Sequence, residues 1–142
     1  MNDYSLVYPM FAMVLLSFVI LATLFRTRLR LIRNGEVNAR YFKIYQDGAE
    51  PEAAAKLARH FVNLFEAPTL FYIACLSALI VGQSTLLMNV LAWLYVGFRC
   101  AHAYIHTGSN KLNHRVIAYF SGWTILLLMW ISIVIGVAAS RS

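Results

Sequence analysis

Four apolar runs dominate the chain, at about Leu6 to Phe25, Phe61 to Val81, Thr85 to Ile105 and Val116 to Ala139. Each approaches the roughly 20 residues a helix needs to cross the hydrocarbon core of a bilayer. Inside lipid every backbone N–H and C=O must be satisfied within its own segment, so four such runs call for four helices. The expected fold class is therefore all-α: an integral membrane four-helix bundle forming a single domain over residues 1–142. Its helices should lie at about 6–25, 51–81, 85–106 and 115–139, joined by polar loops at 26–50 and 107–114. A composition of 61% hydrophobic and 13% charged residues agrees, being far more apolar than a soluble domain of this length.

The first run is expected to stay attached as a span. Asp3 precedes it, no basic segment leads into it, and arginines follow where a signal peptide would place a small-residue cleavage site. Cys75 and Cys100 fall inside the second and third runs without CxxC spacing, so they read as buried thiols and indicate neither a disulfide framework nor a soft-metal site.

Positive charge is distributed unevenly. Arg26, Arg28, Arg30, Arg33, Arg40, Lys43, Lys56 and Arg59 lie in or beside the first loop, and Lys111 and Arg115 beside the third. The connection around Gly82 to Thr85 has none. Because cytoplasmic loops collect Lys and Arg, loops one and three should face the cytoplasm and both termini the opposite side. The net charge of +6 is thus mainly a topology signal. Contact with anionic lipid headgroups follows from it; a nucleic-acid partner does not, for lack of a soluble recognition fold.

Pro51 followed by "EAAAKLARHF" marks a helix start in water. Continued to Val81, that helix would have about 31 residues and a length of roughly 46 Å, enough to project beyond the bilayer. Pro68 should kink it where neighbours satisfy the freed carbonyl. The turn "VGQST" is so short that helices two and three must pack as an antiparallel hairpin.

Arg59, Asn63 and Glu66 follow i, i+4, i+7 and share one helical stripe, as do Arg99, His102 and His106 at i, i+3, i+7. In an antiparallel hairpin, residues at equal depth have numbers with a constant sum. Glu66 with Arg99, Asn63 with His102 and Arg59 with His106 satisfy this, with their midpoint on Gly82 to Gln83. Three polar rungs are expected, the Glu66 rung about 10 Å deeper than the Arg59 rung. Unpaired charge at that depth would cost several kcal/mol, so an ion pair or a polar ligand is required.

A structural ion pair with Asn and His cross-linking the helices would satisfy the requirement. Lys111, His114 and Arg115 cap the same end, however, and surround one cytoplasm-facing pocket with donors suited to an anion carrying several carboxylates. A b-type haem wants histidines facing each other across helices, whereas His102 and His106 share one. No metal site is expected, because Arg99 opposes a cation beside His102, His106 and Glu66. An ion path is disfavoured by the outer halves of helices two and three, which offer little beyond Ser77 and Asn89.

The R-x-x-x-N-x-x-E stripe on the second span, R-x-x-H on the third, an Arg 16 positions after that first Arg, and "FRTRLRLIRNGEV" after helix one together resemble the MAPEG family, the membrane-associated proteins in eicosanoid and glutathione metabolism. The family includes microsomal glutathione transferases and prostaglandin E synthase. The resemblance covers nearly the whole chain and, in its compactness, is to a bacterial-type member, which implies the bacterial inner membrane. It further implies a left-handed bundle assembled as a homotrimer, with glutathione bound between subunits as co-substrate near the cytoplasmic face. Arg59, Asn63, Glu66, Arg99 and His102 match glutathione-binding positions, and Tyr119 a pocket tyrosine. His106 stands where the eukaryotic enzymes have a tyrosine, and Pro68 is shifted relative to their helix-two proline. Arg115 matches the arginine proposed to stabilise the thiolate, and one of Arg26, Arg28 and Arg30 the first-loop contact. The implied activity is glutathione transfer to lipophilic electrophiles or reduction of lipid hydroperoxides. Two alternatives are a non-catalytic lipid-binding protein of the same fold and a small transporter.

Overall fold

The computed structural model describes residues 4–38, 41, 51–108 and 111–140. Among these the structure is helical throughout, with α1 at Val7–Arg33, α2 at Glu52–Asn63, α3 at Ala67–Ile80, α4 at Leu86–Thr107 and α5 at Leu112–Ala139. Four spans are long and apolar enough to cross a membrane: α1, α2 with α3, α4, and α5. Most of the first-loop stretch from 39 to 50 lies outside the described residues.

Helix α1 runs eight residues beyond the expected Phe25, because its arginines are good helix formers once the chain leaves lipid. Arg30 and Arg33 occupy its last turn, where cations complement the helix dipole. The helix stops in a Schellman motif: Glu36 N–H donates to the Leu31 carbonyl and Gly35 N–H to that of Ile32, both at 3.0 Å, with Gly35 at φ 73°. The same device ends α3, where Gln83 N–H donates to Ala78 at 2.8 Å and Gly82 takes φ 69°. Thr85 then caps α4 by accepting from Met88 N–H at 3.2 Å. Two signals packed into five residues make the tight reversal.

The second span is two helices instead of one kinked helix. Pro68 has no N–H for the Leu64 carbonyl, and its ring crowds that carbonyl, so the ladder fails one turn before the proline. Leu64 to Glu66 form the break, Glu66 lies outside the helical region at φ −89°, ψ −91°, and Pro68 sits in the first turn of α3, where its missing donor costs nothing.

Helix α4 touches every other described helix; α1 packs on α2, α3 and α4, and α5 on α3 and α4. The core is built from Met13 and Ile20 of α1, Phe71, Ala74 and Ala78 of α3, Met88, Ala92 and Tyr95 of α4, and Leu126, Met129 and Ile133 of α5. Alanines let the helices approach closely, as in other membrane bundles. Phe71 and Tyr95 stack with ring centroids 4.5 Å apart. Large apolar residues such as Phe11, Phe18, Trp93, Phe120 and Ile135 face outward, as a lipid-facing surface requires. Cys75 is a free buried thiol, whereas Cys100 is free but exposed, on the outer face of α4.

Candidate functional site

The polar residues gather at the end of the bundle away from the Gly82 turn. Helix α2 is amphipathic, burying Ala54, Leu57 and His60 and turning Glu52 and Lys56 toward solvent, where they pair at 2.6 Å. Its last turn tightens before Pro68, with Phe65 N–H donating to the Val62 carbonyl at 2.9 Å and Glu66 N–H to that of Asn63 at 3.4 Å, and Arg99 of α4 also meets the Asn63 carbonyl. Arg99, only 1% exposed, donates from Nη2 to the backbone carbonyl of Asn63 at 3.1 Å and to its Oδ1 at 2.7 Å. A guanidinium at a helix C-terminus is favoured by the dipole as well as by the hydrogen bonds. Asn63 Nδ2 in turn donates to Glu66 Oε2 at 3.2 Å.

The expected rungs are therefore offset. Asn63 faces Arg99 in place of His102, and Glu66 is exposed and reaches Arg99 only through Asn63. Equal-depth arithmetic assumes one continuous helix. It holds within a residue where Phe71 meets Tyr95 and where His60 meets His106, and fails beside the break, where Leu64 to Glu66 leave the helical path and Asn63 meets Arg99.

His60 was not among the sequence candidates, and the structure stacks it, fully buried, behind the cavity-lining His102 and His106. Its ring lies 5.4 Å from that of His102 and 5.1 Å from that of His106, and those two are 5.6 Å apart. It stands one position after Arg59, off the counted stripe, and the signal that could have found it is that it shares α2's buried face with Leu57 and Leu64. His102 Nδ1 lies 3.3 Å from the backbone carbonyl of Arg115. A carbonyl only accepts, so Nδ1 carries the proton and Nε2 the lone pair. With histidines now facing each other across helices, a haem reading acquires a ligand pair; rings this close leave no room for a macrocycle between them.

Arg59, Asn63, His102, His106, Arg115 and Tyr119, with Val116 and Phe120, line one cavity of about 270 Å³. Arg99 and Glu66 adjoin it through Asn63. The Tyr119 ring packs 5.6 Å from His102. Gly122, one turn further along α5, admits the stem of Arg99, whose Cδ would sit 3.8 Å from a Cβ there. The buried Tyr95 and Phe71 form an apolar floor below Arg99. Arg26, Arg28 and Arg30 lie on the last turns of α1 and are not among the lining residues described.

Three guanidinium-bearing residues, one carboxylate and an amide around a small cavity, beneath which the bundle is apolar, define an integral membrane protein with an anion-suited pocket at one end of its helices. The MAPEG family model matches residues 6–135, and the chain belongs to the MAPEG family. Comparison with curated proteins and with solved structures finds no match.

Proposed function

We infer that the protein is a glutathione-dependent membrane enzyme, of the transferase or peroxidase kind, acting on lipophilic electrophiles or lipid hydroperoxides. The supporting observation is the convergence of Arg59, Asn63, His102, His106, Arg115 and Tyr119 on one cavity in a chain of the MAPEG family. Glutathione brings two carboxylates and an amine to this pocket, and Arg59, Arg99 and Arg115 with Glu66 offer the complementary charges. Its thiol has a free pKa of about 8.5, and the Arg115 guanidinium stabilises the reactive anion. Holding thiolate and electrophile together and offsetting the developing charge supplies the rate gain.

The cavity is slightly smaller than the roughly 300 Å³ at which ligand pockets begin. A homotrimer in which a neighbouring subunit closes the open side, contributing one of Arg26, Arg28 and Arg30, completes it. An apolar groove of about 600 Å³ between α1 and the second span, lined by Met10, Phe11, Phe18, Phe61 and Phe65, gives a bilayer-borne substrate a route toward the same end of the bundle. The basic end faces the cytoplasm of a bacterial inner membrane in this reading, with both termini on the other side.

Detergent-solubilised protein should turn over glutathione with 1-chloro-2,4-dinitrobenzene or cumene hydroperoxide. Arg115→Ala should lower kcat by roughly a hundredfold while changing glutathione affinity much less. Unchanged turnover removes Arg115 from the chemistry. The groove also favours a second reading, a lipid-binding protein without chemistry. Stoichiometric lipid that co-purifies, with no thiol-dependent turnover of any electrophile, would select it. A transporter is opposed by the Tyr95 and Phe71 floor, and absence of flux in proteoliposomes is the expected result.

A further inference from the structure

We propose that His60, His102 and His106 form a binding site for one divalent transition-metal ion of the zinc class, with its fourth coordination position open to the basic cavity. Three observations meet at this cluster. The first is geometry: one ligand nitrogen from each ring can be chosen so that all three lie within 4.8 Å of one another, and the ring centres form a near-equilateral triangle of 5.1, 5.4 and 5.6 Å. Zinc bound tetrahedrally at about 2.0–2.1 Å from each nitrogen places ring centres roughly 5 Å apart and nitrogens about 3.4 Å apart, so capture needs the rings to turn and close by about an ångström.

The second is unsatisfied polarity. His60 is fully buried, and neither of its ring nitrogens has a hydrogen-bond partner among the described residues; the buried Nδ1 of His106 has none either. A buried ring nitrogen without a partner carries an unrepaid desolvation cost, and a metal bond offsets it at each ring's lone-pair nitrogen. The third is orientation. The bond from His102 Nδ1–H to the Arg115 carbonyl fixes the tautomer that leaves Nε2 as the ligand atom, the outer-shell arrangement typical of metal-bound histidines.

Three neutral imidazoles with no thiolate or carboxylate select zinc, copper, nickel or cobalt over magnesium and calcium. His102 and His106 line the cavity and His60 lies behind them, so the ion enters through the cavity and its open position faces Arg59 and Arg115. Those guanidiniums oppose a bare cation. Arg99 is turned onto Asn63 and linked through it to Glu66, and the remaining positive charge requires the fourth ligand to be an anion: hydroxide, chloride or a thiolate. The site does not depend on glutathione being the pocket's ligand.

The test uses full-length protein carrying no histidine tag, purified in detergent and stripped with a chelator. Titration with zinc chloride should show one ion per chain, and His60→Phe, which keeps an aromatic ring in the stack, should weaken binding by more than about a hundredfold. Wild-type protein titrated with Co²⁺ should develop the intense visible bands of a tetrahedral ion, a readout independent of any variant's folding. Absence of stoichiometric zinc uptake by the wild type, uptake unchanged in a folded His60→Phe, or only the weak spectrum of six-coordinate cobalt would overturn the site and leave a stack of neutral imidazoles.

Discussion

Replacing Asn63 with alanine removes the one side chain that joins Arg99 to Glu66. In the wild type the Arg99 guanidinium, essentially sealed from solvent, has two acceptors on Asn63, the side-chain oxygen at 2.7 Å and the backbone carbonyl at 3.1 Å. The alanine variant keeps only the carbonyl. A hydrogen bond to a buried charge contributes about 1.5–3 kcal/mol, and the lost bridge to Glu66 adds to it, so Asn63→Ala should destabilise the bundle by about 2–3 kcal/mol. Denaturant titration in mixed micelles, followed by helical circular dichroism, reads this directly. Two further variants separate causes. Asn63→Asp keeps and charges the acceptor for Arg99 but loses the donor to Glu66 and sets two carboxylates together, so it should lose less stability than Asn63→Ala. Arg99→Met removes the buried charge itself, so in that background Asn63→Ala should cost less than about 1 kcal/mol, exposing the coupling between the two positions. A loss below about 0.5 kcal/mol in the single Asn63→Ala variant would refute the claim that Asn63 holds Arg99 in place.

Two glycines give predictions of opposite sign, each checked by the thermal unfolding midpoint in detergent. Gly82, at φ 69° in the α3–α4 turn, should cost about 1 kcal/mol when replaced by alanine, since an L-residue is strained there even in open space. Gly122 lies on a helix interface where small residues are usually read as essential, yet an added Cβ meets Arg99 Cδ, Phe98 Cβ and Tyr95 Cε2 only at 3.8–4.0 Å. Gly122→Ala should therefore be neutral or stabilising by up to about 1 kcal/mol through helix propensity, whereas Gly122→Leu should disrupt the packing on Arg99.

The four spans were legible because apolar runs of bilayer length admit no other structure; of the residues that line the cavity, Arg59, Asn63, His102 and His106 were legible because helical spacing groups them, Arg115 because it caps the same end, and Tyr119 through the resemblance to the family. Legibility ended where local backbone geometry takes over. Pro68 announced a disturbance, but the break sits at Leu64 to Glu66, where the Leu64 carbonyl lacks the donor Pro68 cannot supply, and that displacement turned Glu66 outward and handed Asn63 to Arg99. His60 was missed for a related reason. A stripe counted from Arg59 passes one position away from it, and which of two adjacent residues faces inward depends on the rotation of α2 against α1 and α4, which only packing decides. Helix α1 outran its apolar stretch because its end is set by Gly35 and the Schellman bonds instead of by hydropathy.

The measurement closest to the central claim is calorimetric titration of glutathione into the detergent-purified protein, comparing wild type with Arg59→Ala and Glu66→Gln. Arg59 lines the cavity, whereas Glu66 adjoins it only through Asn63. The account predicts saturable binding by the wild type, a loss of about tenfold or more for Arg59→Ala and a smaller loss for Glu66→Gln. Absence of binding by the wild type, or equal binding by all three proteins, would contradict a glutathione pocket and leave the Glu66, Asn63 and Arg99 chain as a structural network within the bundle.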